Sequence, residues 1–384
     1  MDPRVVHRLR CPVCAEPLAE AAAGTTRALR CPRRHSFDVA RQGYVNLLAG
    51  RAPHVGDTAE MVAARADFLA AGHYDLVSAA LADAATDAVR RLTAAGSAGG
   101  RSPGVTTPAE PTSPLRPLCS APTDAAVTKG DRCGCGCRAK GPERGMPTGA
   151  PTAGAPTTGA PTAGAPTTGG PTTSRPTTGG ESGDGTGADR PVGAYPLVVD
   201  AGAGTGRHLA AVLAALPDAV GLALDVSKPA LRRAARAHPR AAAALADTWQ
   251  RLPLADASTA VLLNVFAPRN GAEFRRVLHP AGALLVVTPA EDHLTELVDA
   301  LGLLRVDPAK ADRVAGSLGE HFDPVATTVL RSRLELTRPE VATLVGMGPS
   351  AWHAGPAVLA ARIAALTEPV GVTLAVRLGT HRPR

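Results

Sequence analysis

Four residues are spaced to hold a metal. Cys11-Pro-Val-Cys14 is followed, after sixteen residues, by Cys31-Pro-Arg-Arg-His35. Each Cys-Pro start is a turn that can aim side chains at one point, and two ligand pairs joined by a short hairpin form a tetrahedral Cys3His set suited to zinc. All four positions are filled by protein, so the metal is expected to be structural and not catalytic. It would supply folding energy to a segment too small to gain it from a core. His35 alone would carry little weight; it closes the set. The competing reading is a pair of free-thiol turns.

A second group lies far downstream. Pro196-Leu-Val-Val-Asp200-Ala-Gly202-Ala-Gly204-Thr205-Gly206 is an apolar run, an acid, three glycines and then an alanine- and leucine-rich segment. The pattern is a buried strand, a tight loop and a helix start. Glycines let the backbone approach a ligand closely. Dinucleotides favour G-x-G-x-x-G at such a loop. The pattern here is D-x-G-x-G-x-G, which suits S-adenosylmethionine, a nucleoside cofactor without phosphate. A glycine turn with no ligand is the bland alternative. Asp225 ends the next apolar run, nineteen residues after Gly206, where a carboxylate can accept both ribose hydroxyls. Asp247 follows the third run and can reach an adenine amino group. Asn264, in the fourth, can hydrogen-bond the cofactor or a substrate edge.

These residues need a parallel sheet to gather them. Strands are expected at 197–200, 220–225, 242–246, 259–266 and 283–288, with helices between them, and again at 326–336 and 371–378 around a helix at 338–346. Ser227 should cap one helix, with Pro229 in its first turn. Pro280–Gly282 should turn into the strand at 283, and Glu291-Asp292-His293 should open the next helix. Upstream, 37–48 reads as the exit from the metal module. Asp57 or Thr58 caps a helix with Glu60 at a capping-box position, Gly72 ends it, and a second helix runs from Asp75 to Thr93. Alternating elements with ligand residues at strand C-termini give an α/β, Rossmann-like doubly wound sheet with one crevice.

The expected organisation is a zinc-binding module at 1–50, a helical entry at 56–93, an insert at 94–194 and the cofactor domain at 195–384. Residues 151–180 are six Pro-Thr pentapeptides, with nothing apolar to bury, so the insert is expected to be disordered. Cys133, Cys135 and Cys137 lie inside it and receive no function. The net charge is +7, and residues 1–56 carry nine Arg, no Lys and four acids, which suits a polyanionic partner. No apolar run is long enough to cross a membrane, and the polar N-terminus does not resemble a signal peptide. Clustered cysteines point to a cytoplasmic protein with metal-bound thiolates. A homodimer is left open.

The set of motifs resembles a known family. Cys11 to His35, Gly43-Tyr44-Val-Asn-Leu-Leu48, Gly56-Asp57-Thr-Ala-Glu-Met61, Gly72-His73-Tyr74, Asp225-Val-Ser227-Lys228, Phe266-Ala-Pro268 and Met347-Gly-Pro-Ser-Ala-Trp352 look like the 23S ribosomal RNA guanine-N1 methyltransferases. That family includes macrolide-resistance members from actinomycetes. The resemblance spans nearly the whole chain outside 94–194. It implies a zinc module for RNA recognition joined to a Rossmann-like class I S-adenosylmethionine methyltransferase domain, and cofactor contacts at Tyr74, the Gly204–Thr205 region and His293. By the residues alone, Tyr74 would be a buried aromatic and His293 a surface histidine. It further implies 23S rRNA as partner and transfer to a hairpin-loop guanine near the peptide exit tunnel. Phe266 and Trp352 are candidates to stack on that base. No general base is named; His73, His208 and His353 are the candidates, and Asp200 reads as structural. Two other classes are a small-molecule methyltransferase, against which the Arg-rich module argues, and a non-catalytic zinc RNA-binding protein, against which the intact glycine loop argues.

Overall fold

A computed structural model of the protein describes residues 1–23, 26–50, 54, 56–99, 195–303, 316–348 and 355–384. Trp352, His353, the Cys133/Cys135/Cys137 cluster and most of the expected insert lie outside the described residues.

The frame is an eight-stranded sheet. Its centre is parallel: β5 (Leu197–Ala201), β6 (Val220–Asp225), β7 (Ala241–Leu245), β8 (Thr259–Val265) and β9 (Leu278–Pro289), with β10 (Phe322–Leu336) and β11 (Val370–Pro383) at one end. The spatial order is β10-β11-β9-β8-β5-β6-β7-β4, and β11 runs antiparallel to both neighbours. Chain order reverses between β5 and β8, so a crevice opens there at the strand C-termini. β5, β6, β7 and β8 are apolar on both faces, as central parallel strands must be.

The eighth strand is β4, Tyr44–Asn46, which pairs in parallel with β7. These residues, expected at the exit from the zinc module, are an edge of the main sheet. The module itself comprises α1 (Pro3–Val6) and the antiparallel sheet of β1 (Ala19–Ala23), β2 (Thr26–Arg30) and β3 (Ser36–Asp38).

The two faces of the sheet are covered differently. Val198, Ala223 and Ala243 face α2 (Ala59–Ala70), α3 (Asp75–Gly99), α4 (Arg207–Ala215) and α5 (Lys228–Ala234). Their neighbours Leu197, Val199, Leu222 and Ala244 pack on the other face, against Val5, Leu9, Leu29 and the buried sulfurs of Cys11 and Cys31. α6 (Gly271–Val277) contributes Phe274 to that second layer. A crossover between parallel strands usually carries a helix. The connection from β7 to β8 has none; the zinc module occupies that place.

Local signals mostly act as the residues dictate. Ser227 caps α5 with Pro in its first turn. Thr58, not Asp57, caps α2, accepting from the Met61 N–H at 3.3 Å, so Glu60 is not at a capping-box position. α3 continues to Gly99, past the expected stop at Thr93. Pro280–Gly282 lies within β9, where the pairing register with β8 shifts. α7 (Thr295–Leu301) starts after Leu294, whose φ is +57°, so His293 precedes the helix instead of opening it. α8 (Arg338–Gly346) has a full capping box from Thr337 and Glu340, and α9 (Pro356–Ala364) follows it.

Candidate functional site

The four metal-type side chains converge. Their ligand atoms all lie within 4.8 Å of one another. Cys14 Sγ and Cys31 Sγ are 3.7 Å apart, and His35 Nδ1 is 3.5 Å from Cys11 Sγ and 3.4 Å from Cys31 Sγ. A tetrahedron with Zn–S bonds of about 2.3 Å has edges of about 3.8 Å. The donor set therefore fits a zinc ion bound through three sulfurs and Nδ1, with no open position. Zinc is the structural metal of this module.

The second site is a cavity of about 600 Å³ at the strand C-termini. Its floor is the loop after β5. Gly202, Gly204 and Gly206 have φ of +84°, +54° and +78°, a region that favours glycine. At Gly202 there is also no room, because a Cβ would collide with the Ala267 Cβ. Gly206 lies away from the cavity; its bare Cα lets α5 approach, Ala234 Cα being 3.0 Å from where a Cβ would stand.

Four of the loop's N–H groups are bonded within the fold. The N–H groups of Gly202 and Ala203 both donate to Leu224 O (2.9 and 3.0 Å), that of Gly204 to Asp225 Oδ2 (2.8 Å) and that of Gly206 to Ala203 O (2.9 Å). A pyrophosphate cradle needs such groups free. These bonds leave little of the loop to a pyrophosphate, in keeping with the S-adenosylmethionine reading of the glycine pattern.

Three acids stand at the ends of three adjacent strands and line the cavity. Asp225 is held by the Gly204 N–H and the Ser227 N–H at 2.8 Å. Burial pushes its carboxyl up, against the lowering effect of those two donors. Asp247 accepts from the Trp249 N–H (2.9 Å) and lies 3.1 Å from His54 Nδ1. Asp200 is buried, and its Oδ1 has no partner among the described residues. Burial first, and the charge of Asp225 second, push its carboxyl up to about 7. The residue read as structural thus faces the cavity.

Asn264 is not in the cavity wall. It is fully buried, and its Nδ2 donates to Ala201 O (3.1 Å) and Pro268 O (2.8 Å). It ties the β5 and β8 loops together from beneath. Thr205 lines the cavity, as do Tyr74 and His293. Tyr74 reaches it from the start of α3, and its burial pushes the phenol up. His293 accepts the Ala375 N–H at Nδ1 (3.3 Å), which seats the ring against β11 and leaves its proton on Nε2.

Phe266 joins them. It has a φ of +52° and is 44% exposed, its ring edge-on to Tyr74 and stacked on His293, both at 6.1 Å between centroids. A bulky residue in that region is strained; here its N–H is held by Val287 O (3.1 Å). Of the candidate bases, His73 pairs with Glu340 at 3.0 Å outside the cavity. His208 lines the cavity at 3.0 Å from Ser78 Oγ, and burial, with Arg207 and Arg65, pushes it down to about 4. It is neutral near pH 7.

Asp57 and Arg65 line the wall although no site role was expected of them. Arg65 forms an ion pair with Asp57 and donates to Met347 O (2.9 Å), joining α2 to the end of α8. Ser227 Oγ donates to Asp57 O at 2.8 Å. Thr58 capping α2 is what releases Asp57 for this role.

The zinc-ribbon model described as "RlmA, N-terminal" matches residues 9–52. A Micromonospora griseorubida protein provisionally named 23S rRNA (guanine-N(1)-)-methyltransferase is 56% identical over 384 residues, all of both chains. The Streptomyces fradiae 23S rRNA (guanine(748)-N(1))-methyltransferase is 41% identical over 383 residues, 100% of this chain and 99% of that one. With a donor set that fits zinc and a cavity that fits S-adenosylmethionine, this chain belongs to the 23S rRNA (guanine-N1)-methyltransferase family.

Proposed function

We propose that the protein methylates N1 of a hairpin-loop guanine in 23S rRNA, and that the nucleotide is guanine 748. The observation that carries this is the end-to-end identity to the S. fradiae enzyme named for that position. The site supports it: a cofactor cavity opens beside aromatic rings and an Arg-rich zinc module. When bound, S-adenosylmethionine would supply an electrophilic methyl group on positively charged sulfur, with neutral S-adenosylhomocysteine as the leaving group and the guanine N1 proton passing to solvent.

The chain's own groups position the partners. Asp225 and Asp247 hold the nucleoside end, Gly202 to Thr205 let it sit close, and Asp200 offers negative charge to a cationic ligand. Tyr74 and His293 contact the cofactor from outside the β5–β6 unit. Phe266 offers a face for the guanine, which must leave its stack to be reached. Asn264 acts indirectly, by fixing the loops. A ribosomal substrate fits a cytoplasmic protein, and the resemblance to macrolide-resistance members extends the proposal to a contribution to such resistance.

The test is incubation with labelled S-adenosylmethionine and unmodified 23S rRNA, followed by primer extension. A stop at guanine 748 is expected. Label elsewhere in the RNA would refute the position; label only in small metabolites would refute the RNA substrate.

A further inference from the structure

The turn after β7 presents an aromatic ring that neither the core nor the cavity floor uses. The backbone of Trp249 is pinned on both sides. Its N–H donates to Asp247 Oδ1 (2.9 Å) and its C=O accepts from Asn270 Nδ2 (3.3 Å). The Gln250 N–H donates to Asp247 O (3.0 Å) and closes the turn. The residue is nonetheless 52% exposed, on the wall of the cofactor cavity. The His54 ring lies 5.9 Å from it at 35°, itself held by Asp247.

A large aromatic held by its backbone yet left half exposed can offer its face to a ligand at little cost in side-chain ordering. Its surroundings say which kind. Arg251 follows it and is exposed, and Arg10, whose N–H donates to Pro253 O (3.0 Å), borders the same loop. An exposed flat ring on the wall of the cavity, with an exposed Arg two residues further along the same loop, is the kind of surface that stacks single-stranded nucleotides.

We propose that Trp249, backed by His54, stacks an unpaired RNA base neighbouring the target guanine. This rests on the RNA substrate proposed above. It makes Trp249 a positioning residue, distinct from Phe266 at the target base.

The test uses the full, zinc-loaded chain with a hairpin carrying the target guanine, and the same hairpin made abasic at each flanking loop position in turn. Trp249→Ala should raise KM for the hairpin about tenfold, the size of one base–aromatic stack. The kcat and the S-adenosylmethionine Kd should stay within about twofold. Trp249→Phe should restore most of the KM. One abasic hairpin should be poor for the wild type and no worse for Trp249→Ala. With Trp352→Phe in place, hairpin binding should quench the remaining indole fluorescence.

A Phe variant no better than Ala overturns the proposal. So does a weakened cofactor Kd with unchanged RNA KM, which would assign the ring to the nucleoside pocket. Equal losses on every abasic hairpin in wild type and variant also overturn it. A wild-type protein that labels no RNA refutes the substrate as well, and is told apart from these by the wild-type control.

Discussion

Asp200 shows how much one buried carboxyl can hold in reserve. Its pKa is about 7 in the fold against 3.8 when unperturbed, so the folded state keeps a proton that the unfolded state releases. Its contribution to stability is therefore present at low pH and is lost as pH rises from about 4 to about 7. A cationic cofactor favours the ionised form. Wild-type affinity for S-adenosylmethionine should then improve as pH rises through 7, and Asp200→Asn should flatten that profile; calorimetric titration at pH 6 and pH 8 decides it. At Phe266 a ring is kept in strained backbone at the mouth of the cavity. Phe266→Ala should lower kcat/KM on the RNA about tenfold with cofactor affinity nearly unchanged. An RNA activity equal to wild type would show that the ring only packs against Tyr74 and His293.

Loops and strands explain why so few side chains suffice. The β5 loop is shaped by backbone bonds to Leu224 and Asp225, and by contact with Ala267 of the β8 loop. Gly202→Ala combines a φ of +84° with a collision at Ala267. It should destabilise the fold by roughly 1–3 kcal/mol and weaken cofactor binding at least tenfold, read by thermal melting and titration. An unchanged melting temperature would mean the two loops are free to separate. The glycine pattern, the strand-end acids and the cysteine spacing were legible because each depends on near neighbours. Asn264 was legible as a polar residue at a strand end, but not as a tie beneath the loops, because its partners Ala201 and Pro268 come from two segments.

At the scale of the molecule, the zinc module is built into the fold. It covers the face of β5, β6 and β7 that a crossover helix would otherwise cover. It is bridged to the loop below Trp249 through Leu9 and Leu254, with the Ala255 N–H donating to Arg8 O (2.9 Å). The chain then runs through β4 to His54 and Asp57 at the cavity wall. Cys31→Ser should cost the zinc, lower the melting temperature and weaken S-adenosylmethionine binding together. Metal content, melting and titration on one sample test this. Full cofactor affinity in the zinc-free protein would show the two sites to be independent.

The amino-acid sequence carried the spacing of the metal-type residues, the glycine loop, the alternation of strands and helices and the family, because short-range spacing and hydrophobic period hold that information. Tertiary structure decided the rest. It turned Asp200 toward the cavity and Asn264 away from it, brought Arg65 and Asp57 to the wall, and set the zinc module against the sheet. Those outcomes depend on which distant segments meet, and no local pattern encodes a contact made across the fold.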